Sequence, residues 1–315
     1  MKRAVLQSRR SERSYFPFSN QFSNKASEDF RKLRRFITPL LALCLLATVF
    51  LAVSAQEKAT HDNNKPEPKP TPAKPGATRA ITGNDVAEST VYAYGSRGLL
   101  AQIRRNGIER GRITRTTNDG HVEEATYERR FVRGEDATKD KIRIDQKMPT
   151  MEYSLVFGDG RLWGIINGAN FTPRQDAAES FMSQQWHSID ALLRYKENGS
   201  KVDYVDKVKQ KGLDLYVADL TDKENHKTRY YISANSLRVL WLEYEEPIEP
   251  GGAPVKFTRE FHNYRVAQGT LVPYRSVLLA NDKVLQETNV SSVTYGVKLE
   301  DEIFRNPDAQ ASNNP

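Results

Sequence analysis

Few residues of this sequence have the types and spacing that acid–base or metal chemistry requires. The five histidines share no metal-ligand spacing with one another or with nearby acids, and we interpret them as surface residues: His61, His121, His187, His226 and His262. Cys44 is the only cysteine, and Gly158, Gly160 and Gly164 do not fit a phosphate-binding loop. No Gly-x-Ser-x-Gly nucleophile motif occurs. The sequence therefore predicts neither catalysis nor a bound cofactor or metal.

Apolar and aromatic side chains on strand-like segments are the more informative set. A flexible acyl chain needs a deep groove with few polar groups. The candidate lining residues are Tyr153, Leu155, Phe157, Trp163, Ile165, Trp241, Phe257 and Phe261. The same side chains would equally form an ordinary core, packed on a helix that carries Phe181 and Met182.

Arg259 interrupts the apolar strand face that contains Phe257 and Phe261, and it completes the candidate groove lining. A charge on such a face costs on the order of several kcal/mol unless it is paired or reaches water. We therefore predict that its guanidinium contacts the Glu243 carboxylate, stacks on Trp241, or does both. Arg259 is then either a clamp at the rim of the sheet or a groove-mouth group that meets a lipid headgroup or acyl carbonyl.

The stretch from Tyr230 to Pro247 is apolar on both faces of its second strand. A turn centred between Ala234 and Asn235 pairs Tyr230 with Val239, which places Trp241 in the interior. The opposite, convex face then carries Tyr231, Leu240, Leu242 and Tyr244. This set reflects either ordinary strand propensity or a contact surface for a partner protein.

These side chains require a largely antiparallel sheet to position them. Strand-like alternation and short turns predict strands over 108–117, 122–132, 141–144, 151–157, 161–166, 201–207, 213–220, 227–232, 237–244 and 255–264, and a final hairpin over 272–295. Asn118-Asp119-Gly120, Gly158-Asp159-Gly160 and Asn281-Asp282-Lys283 are hairpin turns. Most of these connections are too short for anything other than antiparallel neighbours.

Helical signals occur in two places. A short helix capped by Asn84 or Asp85 begins the folded part and is interrupted by Gly95. One long helix follows the first strands, starting with a capping box at Thr172-Pro173-Arg174-Gln175 and ending at Asn198-Gly199. Its apolar residues recur at helical spacing, so one face of this helix must be buried.

The amino-terminal region has the pattern of an export signal. Basic residues precede an apolar run over 37–55 that ends in Val53-Ser54-Ala55, which predicts a signal over 1–55 cut after Ala55. An uncleaved single-pass anchor over 37–55 is the main alternative, since the run approaches the length that spans a bilayer. A lipid anchor at Cys44 and a twin-arginine signal at Arg34-Arg35 fit the flanking residues less well.

Composition divides the rest of the chain. Residues 56–80 are rich in Pro and Lys and predict a flexible linker, residues 81–308 form one domain, and residues 309–315 form a disordered tail. The chain of 315 residues has a net charge of +7, but residues 1–55 hold ten of the 47 Lys and Arg and only three of the 40 Asp and Glu. The remainder is neutral, which argues against nucleic-acid binding.

The order of these features resembles a known superfamily. The features are a short helix, the Tyr94-Gly95-Ser96-Arg97 break, a single long helix after several strands, the strand-turn-strand of Tyr230 to Tyr244, and a closing Val293-Thr294-Tyr295 followed by Leu299, Asp301 and Phe304. Over about 81–307 this order is similar to the LolA/LolB-like superfamily of periplasmic lipoprotein carriers and lipid-binding or sensor relatives. The resemblance implies an α+β half-barrel, a strongly curved antiparallel sheet whose concave face is covered by helices around an apolar cavity for acyl chains.

We therefore expect a non-catalytic protein of the cell envelope, periplasmic or outer, that binds a lipid or lipoprotein acyl chain in an apolar groove. The alternative is a membrane-tethered sensor or interaction module with an envelope protein as its partner, held by an uncleaved segment over 37–55. An exported hydrolase is the third hypothesis, and it lacks a catalytic constellation.

Overall fold

The computed structural model describes residues 79–117, 120–248 and 252–306. The expected export signal at 1–55, the linker up to residue 78, the turn residues 118–119 and the tail at 309–315 lie outside these ranges. Within the described ranges, no helix is both long enough and apolar enough to cross a membrane.

Thirteen strands form one antiparallel sheet that is curved and does not close on itself. The strands are β1 (Asn106–Thr116), β2 (Val122–Val132), β3 (Lys141–Lys147), β4 (Glu152–Gly158), β5 (Arg161–Ile166), β6 (Ala169–Phe171), β7 (Lys201–Gln210), β8 (Leu213–Thr221), β9 (Lys227–Ser233), β10 (Val239–Pro247), β11 (Pro254–Ala267), β12 (Thr270–Ala280) and β13 (Lys283–Tyr295). The expected α+β half-barrel is confirmed.

The order of the strands shows how the chain builds this sheet. Across the sheet the order is β6-β5-β4-β3-β2-β1-β13-β12-β11-β10-β9-β8-β7. The chain therefore starts at the centre, reaches one edge at β6, crosses to the opposite edge at β7 and returns to pair β13 with β1. The crossing segment is 172–200, and it carries the helices that cover the concave face.

Two-residue turns join several neighbouring strands. Asp159 and Gly160 have φ values of 51° and 69°, and Asn281 and Asp282 have 46° and 64°, so both turns use left-handed residues. Such turns match the right-handed twist of the strands that they connect. The hairpins that the sequence predicts at these positions are present.

In the part of the chain that the structure describes, four α-helices accompany the sheet: α1 (Gly83–Tyr94), α2 (Arg97–Ile103), α3 (Gln175–Trp186) and α4 (Ile189–Leu193). The cap of α1 is Thr82 rather than Asn84 or Asp85. Its side chain accepts from the Asp85 amide, while the Asp85 carboxylate accepts from the Thr82 amide. Gly95, with φ 134°, ends α1 as expected.

The prediction of one long helix over the sheet is wrong. The chain forms two helices, α3 and α4, separated at His187-Ser188, because the Ser188 hydroxyl accepts from the Ala191 amide and starts a new helix. The expected capping box at Thr172 is also absent, since α3 begins after Arg174 without a side-chain cap. The break allows α3 and α4 to take different directions over the sheet.

The core lies mainly on the concave side. α1 and α4 pack on β7 to β11 through an apolar cluster that includes Val86, Val91, Tyr94, Leu192, Leu220, Tyr230, Ile232, Val239, Leu242, Tyr244 and Phe261. A second cluster joins α3 to the other half of the sheet through Phe131, Ile142, Phe157, Phe181, Val272 and Tyr295. On the convex side, Phe304 in the closing segment covers Val156 and Trp163.

A β-bulge exchanges the two faces of β10 relative to the faces that the sequence predicts. Leu237 has φ 57°, Val239 pairs with Ile232, and the register then shifts so that Leu242 pairs with Tyr230. One extra residue exchanges the two faces of a strand. Leu242 and Tyr244 are therefore in the concave core, with 0% and 5% of their surfaces exposed.

The expected partner surface of Tyr231, Leu240, Leu242 and Tyr244 is accordingly wrong for its last two members. Tyr231 lies on the convex side and stacks on Trp241, with ring centroids 4.7 Å apart. Leu240 lies at the bulge and is half-buried.

The buried Tyr94 and the partly buried Tyr264 hold the bulge in place. The Tyr94 and Tyr264 hydroxyls are 2.8 Å apart, and the Tyr264 hydroxyl donates to the Val239 carbonyl. The Val239 amide donates to the Tyr94 hydroxyl at 3.3 Å. Both backbone groups at the irregular position are thus satisfied by side chains from α1 and β11.

Asp190 fixes α4 against the sheet through two arginines. Its carboxylate accepts from Arg133 at 2.6 Å and from Arg104 at 3.4 Å, and Arg104 also donates to the Thr270 hydroxyl and the Leu271 carbonyl. Burial alone would raise the pKa of Asp190, but the two guanidiniums hold that pKa well below its usual range. This ion triad connects the ends of α2 and β2 to α4 and β12.

His187 fixes the junction of α3 and α4 to the sheet, and it is 1% exposed, so its interpretation as a surface residue is wrong. Nδ1 is 2.7 Å from the Thr228 hydroxyl, Nε2 is 3.0 Å from the Glu246 carboxylate, and the ring stacks on Tyr244 at 3.8 Å. Burial lowers the pKa of His187, with smaller contributions in the same direction from His226 and Arg259, against the opposing effect of Glu246. The neutral ring therefore donates to Glu246 and accepts from Thr228.

We expect the free energy of unfolding to fall as the pH is lowered below about 6.5, the ordinary pKa of a histidine side chain. Because the folded-state pKa of His187 lies below the ordinary value of about 6.5, its contribution is complete above that value and is lost as the pH falls through the folded-state pKa. His187→Gln should cost about 1–3 kcal/mol at neutral pH and flatten this dependence in urea unfolding. His262→Gln on the convex face is the control, and an unchanged slope in His187→Gln would contradict the assignment.

Asp190→Asn should destabilise the protein by about 2–3 kcal/mol, because it leaves two largely buried arginines without a counter-charge. Asp176→Asn, which removes an exposed ion pair with Arg174 on α3, should cost under about 1 kcal/mol. Urea unfolding at neutral pH measures both variants. Equal losses in the two variants would show that the triad does not hold α4.

Candidate ligand-binding site

Two cavities lie on the concave face of the sheet. One side of helix α3 lines the first cavity, and another side of α3 lines the second. Ala177, Phe181 and Gln184 line a cavity of about 420 Å³, which we call the polar cavity. Met182 and Trp186 line a second cavity of about 450 Å³, which we call the apolar cavity. Both volumes are in the range of pockets that bind small molecules.

The apolar cavity lies between the first strands and the crossing helices. Its apolar lining includes Phe131, Ile142, Phe157, Met182, Trp186, Ala191 and Leu220. Charged residues also line it: Arg129, Arg133, Asp136, Asp140, Asp190, Arg194, Asp222, Lys223 and Glu224. Phe131 and Ile142 face each other in the β2–β3 ladder, and Ile142 pairs in turn with Phe157 on β4. Neighbouring strands thus present a continuous apolar row towards α3 and α4.

The polar cavity lies under the other side of α3. Its sheet-side lining includes Arg115, Arg129, Gln146, Tyr153, Arg259, Leu278 and Gln286. Arg115, Gln286, Leu278 and Arg259 form a single row across the sheet, since each pairs with the next in the ladders of β1, β13, β12 and β11. Concave curvature tilts the side chains of this row towards each other.

The two cavities are neighbours beneath the helix junction. Arg129, Gln185, Ser188 and Asp190 line both of them. The Arg129 guanidinium lies 4.7 Å from the centre of the Phe131 ring, at the border between the polar and the apolar lining. The arrangement therefore offers an apolar volume and a polar volume to one ligand.

Arg259 is not where the sequence places it. It pairs with Leu242 in the β10–β11 ladder and shares the concave side with Phe257 and Phe261, whereas Trp241 and Glu243 are on the convex side. The predicted contact with Glu243 or Trp241 is therefore wrong, because the bulge in β10 exchanged its faces. The guanidinium instead lies 3.5 Å from the Gln184 carbonyl of α3, and burial lowers the pKa of Arg259.

The expected groove lining divides into three groups. Tyr153, Leu155 and Arg259 line the polar cavity, and Phe157 lines the apolar cavity. Phe257 and Phe261 belong to the concave core under α1 and α4, outside both cavities.

The other three residues of the expected lining are on the convex side. Trp163 pairs with Val156 and Ile165 pairs with Ser154, because the two-residue turn at Asp159-Gly160 sets odd positions of β4 against even positions of β5. Trp163 packs under Phe304, and Trp241 stacks on Tyr231. Their assignment to the groove is wrong.

Sequence reasoning missed most of the residues that do line the cavities. Arg115, Arg129, Phe131 and Ile142 follow strand alternation, which is a usable sign of their faces. Alternation does not reveal that β1 and β11 lie in the same region of the sheet, since that depends on the pairing of β1 with β13.

One group of potential metal ligands is present among the described residues. One ligand atom each from Asp222, Glu224 and His226 lies within 4.8 Å of the others, although the sequence analysis assigned the histidines no such spacing. Asp222 accepts from the amides of Glu224 and His226 and from the His226 ring. These bonds form a turn that accounts for the cluster without a metal.

Solved structures of other proteins share this fold. An outer membrane lipoprotein-sorting protein domain from Vibrio parahaemolyticus is 15% identical with a TM-score of 0.50, and the match covers 71% of this chain and 96% of that one. A DUF1329 family protein from Desulfovibrio piger is 14% identical with a TM-score of 0.51, covering 72% and 97%. A LolA superfamily protein from Nitrosomonas europaea is 11% identical with a TM-score of 0.50, covering 72% and 99%.

No family model matches the sequence, and no curated protein matches it. Identities of 11–15% establish the fold alone. The resemblance expected from the order of elements is confirmed at that level, and the chain has the half-barrel fold of the LolA superfamily.

Proposed function

We propose that this protein binds a lipid or lipoprotein acyl chain in the cell envelope, as a carrier and not as an enzyme. The observation that carries the proposal is the apolar cavity of about 450 Å³ beneath α3 and α4. Its aromatic and aliphatic walls suit a flexible hydrocarbon chain. Ten methylene groups buried there would contribute a gross transfer free energy of about 8 kcal/mol at ~0.8 kcal/mol each, from which the cost of ordering the chain and the complex is subtracted.

The fold supports this assignment. The structure from Vibrio parahaemolyticus is described as an outer membrane lipoprotein-sorting protein domain, and that from Nitrosomonas europaea as a LolA superfamily protein. A carrier role for this chain extends those descriptions to a protein with the same half-barrel and a cavity under its crossing helices.

Four of the expected lining residues retain a role in the proposal. Phe157 forms part of the wall for the hydrocarbon, and Tyr153 and Leu155 form the adjoining wall of the polar cavity. Arg259 meets the polar end of the ligand instead of clamping the sheet, since none of its described contacts is to a carboxylate.

Residues 1–55 would deliver the protein to the envelope as a cleaved export signal, and residues 56–80 would separate the domain from the membrane as a spacer. Intact mass of the exported protein tests this topology. A mature chain that starts at Gln56 supports a free carrier. An uncut amino terminus supports the tethered form, held through 37–55, in which the same domain acts as a sensor or interaction module.

Ala191→Trp should reduce lipid binding, because the larger side chain fills the apolar cavity from α4. The measurement is native mass spectrometry of the purified domain mixed with dimyristoyl phosphatidylglycerol or dimyristoyl phosphatidylcholine. We expect a one-to-one complex with the unmodified protein and about a tenfold loss in the variant, the equivalent of two lost methylene contacts.

Val284→Trp is the matched control, because Val284 is exposed and lies outside both cavities. It should bind lipid as the unmodified protein does, and melting temperatures check that both variants are folded. If the unmodified protein takes up neither phospholipid, the proposed function is wrong.

A further inference from the structure

Three arginines at the polar cavity form no ion pair with a carboxylate. The guanidiniums of Arg115, Arg129 and Arg259 belong to the cavity lining. Throughout 79–117, 120–248 and 252–306, no Asp or Glu oxygen forms an ion pair with any of them. Partly buried arginines normally have a carboxylate partner, because removing a charge from water is costly.

The convex side of the same sheet shows the usual arrangement. Arg229 donates two hydrogen bonds to Asp219, at 2.7 and 2.9 Å, and Arg275 donates two to Glu287, at 2.9 and 3.0 Å. Each of these arginines takes its carboxylate from a neighbouring strand. The arginines at the polar cavity differ from these two in having no carboxylate partner.

Arg115 is held in place by neutral acceptors alone. It donates to Gln286 Oε1 at 3.2 Å, to the Tyr153 hydroxyl at 3.4 Å and to Gln146 Oε1 at 2.8 Å. These three bonds use one hydrogen on each guanidinium nitrogen, so two N–H groups remain. The side chain is oriented by its surroundings while its charge stays uncompensated.

Two carboxylates, Glu109 and Asp190, line the polar cavity with the three arginines. Asp190 accepts from Arg104 and Arg133. Glu109 lies directly opposite Arg129 in the β1–β2 ladder, and its carboxylate accepts from the neutral Tyr127 hydroxyl at 2.7 Å, so its charge faces Arg129. Positive charge is in excess among the lining residues, and neither of the two lining carboxylates lies opposite Arg115 or Arg259.

We propose that the polar cavity binds the phosphate or carboxylate group of an anionic amphiphile, through Arg115 and Arg259, while the acyl chain of that amphiphile occupies the apolar cavity. The inference rests on the proposed function and names the class of its ligand. Arg115 and Arg259 are three strand spacings apart, about 14 Å along the sheet, and they converge on the concave side. Guanidinium groups bind phosphate and carboxylate with paired hydrogen bonds, and the shared lining by Gln185 and Ser188 joins the two volumes.

The test compares two lipids with identical acyl chains and different headgroups. Dimyristoyl phosphatidylglycerol and dimyristoylglycerol, which lacks the phosphate, are titrated into the folded domain, and the two dissociation constants are measured at fixed salt. We expect about a tenfold preference for phosphatidylglycerol, as for a hydrogen-bonded charged group. Arg259→Gln and Arg115→Gln should each reduce this preference towards one.

Arg112→Gln is the matched control. Arg112 is on the same strand as Arg115 but is exposed on the convex face, so the variant removes the same charge and should keep the preference. The melting temperature distinguishes a role of these arginines in binding from a role in stability. Removing a desolvated, unpaired charge should leave the melting temperature unchanged or raise it. A clear decrease of the melting temperature in both Arg115→Gln and Arg259→Gln would overturn the proposal.

The remaining outcomes distinguish a site for the lipid headgroup from a site for free anions. They also distinguish a failure of this inference from a failure of the proposed function. Equal binding of the two lipids would overturn the proposed recognition of an anionic headgroup, while the proposed binding of an acyl chain would still stand. Equal binding together with an Arg259-dependent rise in melting temperature with inorganic phosphate would show a site for free anions, which also overturns it. If neither lipid binds, the carrier function fails first and this inference fails with it.

Discussion

Segment 172–200 has to carry the chain from one edge of the sheet to the other. β6 and β7 are at opposite edges, twelve strand spacings or about 58 Å apart along the sheet. The helices of segment 172–200 rise about 26 Å, and its other residues span at most about 40 Å, so the segment has little length to spare. It must cross the concave side of a curved sheet as a chord, and the space beneath such a chord is where both cavities form.

Local sequence signals predicted much of the sheet because they act over a few residues. The left-handed turns at Asp159-Gly160 and Asn281-Asp282 could be read directly, and so could the strands that flank them. The bulge before Leu242 could not, because Tyr94 and Tyr264 stabilise it from distant parts of the chain. Since side chains alternate with a period of two, that one irregularity moved Trp241 to the convex side and invalidated the predicted partner of Arg259.

The cavities were harder to predict than the fold for a related reason. Alternation identifies Tyr153 and Leu155 as inward-facing, yet the cavity also needs β1, which lies beside β13 only because two separate meanders meet at the centre of the sheet. The general expectation that an inward arginine has a carboxylate partner holds for Arg104 and Arg133. It fails at Arg259, and the same row across the sheet contains a second unpaired arginine, Arg115.

On the concave side, some charged groups stabilise the fold and others are available to a ligand. Asp190 is the shared carboxylate partner of Arg104 and Arg133, and this triad holds α4 and therefore the roof of both cavities. An additional carboxylate beside Arg115 or Arg259 would remove their desolvation cost, but it would also occupy the groups that face the cavity. An anion that binds only the folded state offsets the desolvation cost of these arginines upon binding, and it stabilises the fold by mass action. The unpaired arginines thus make the empty cavity less favourable than the filled one, and this difference is available as binding free energy.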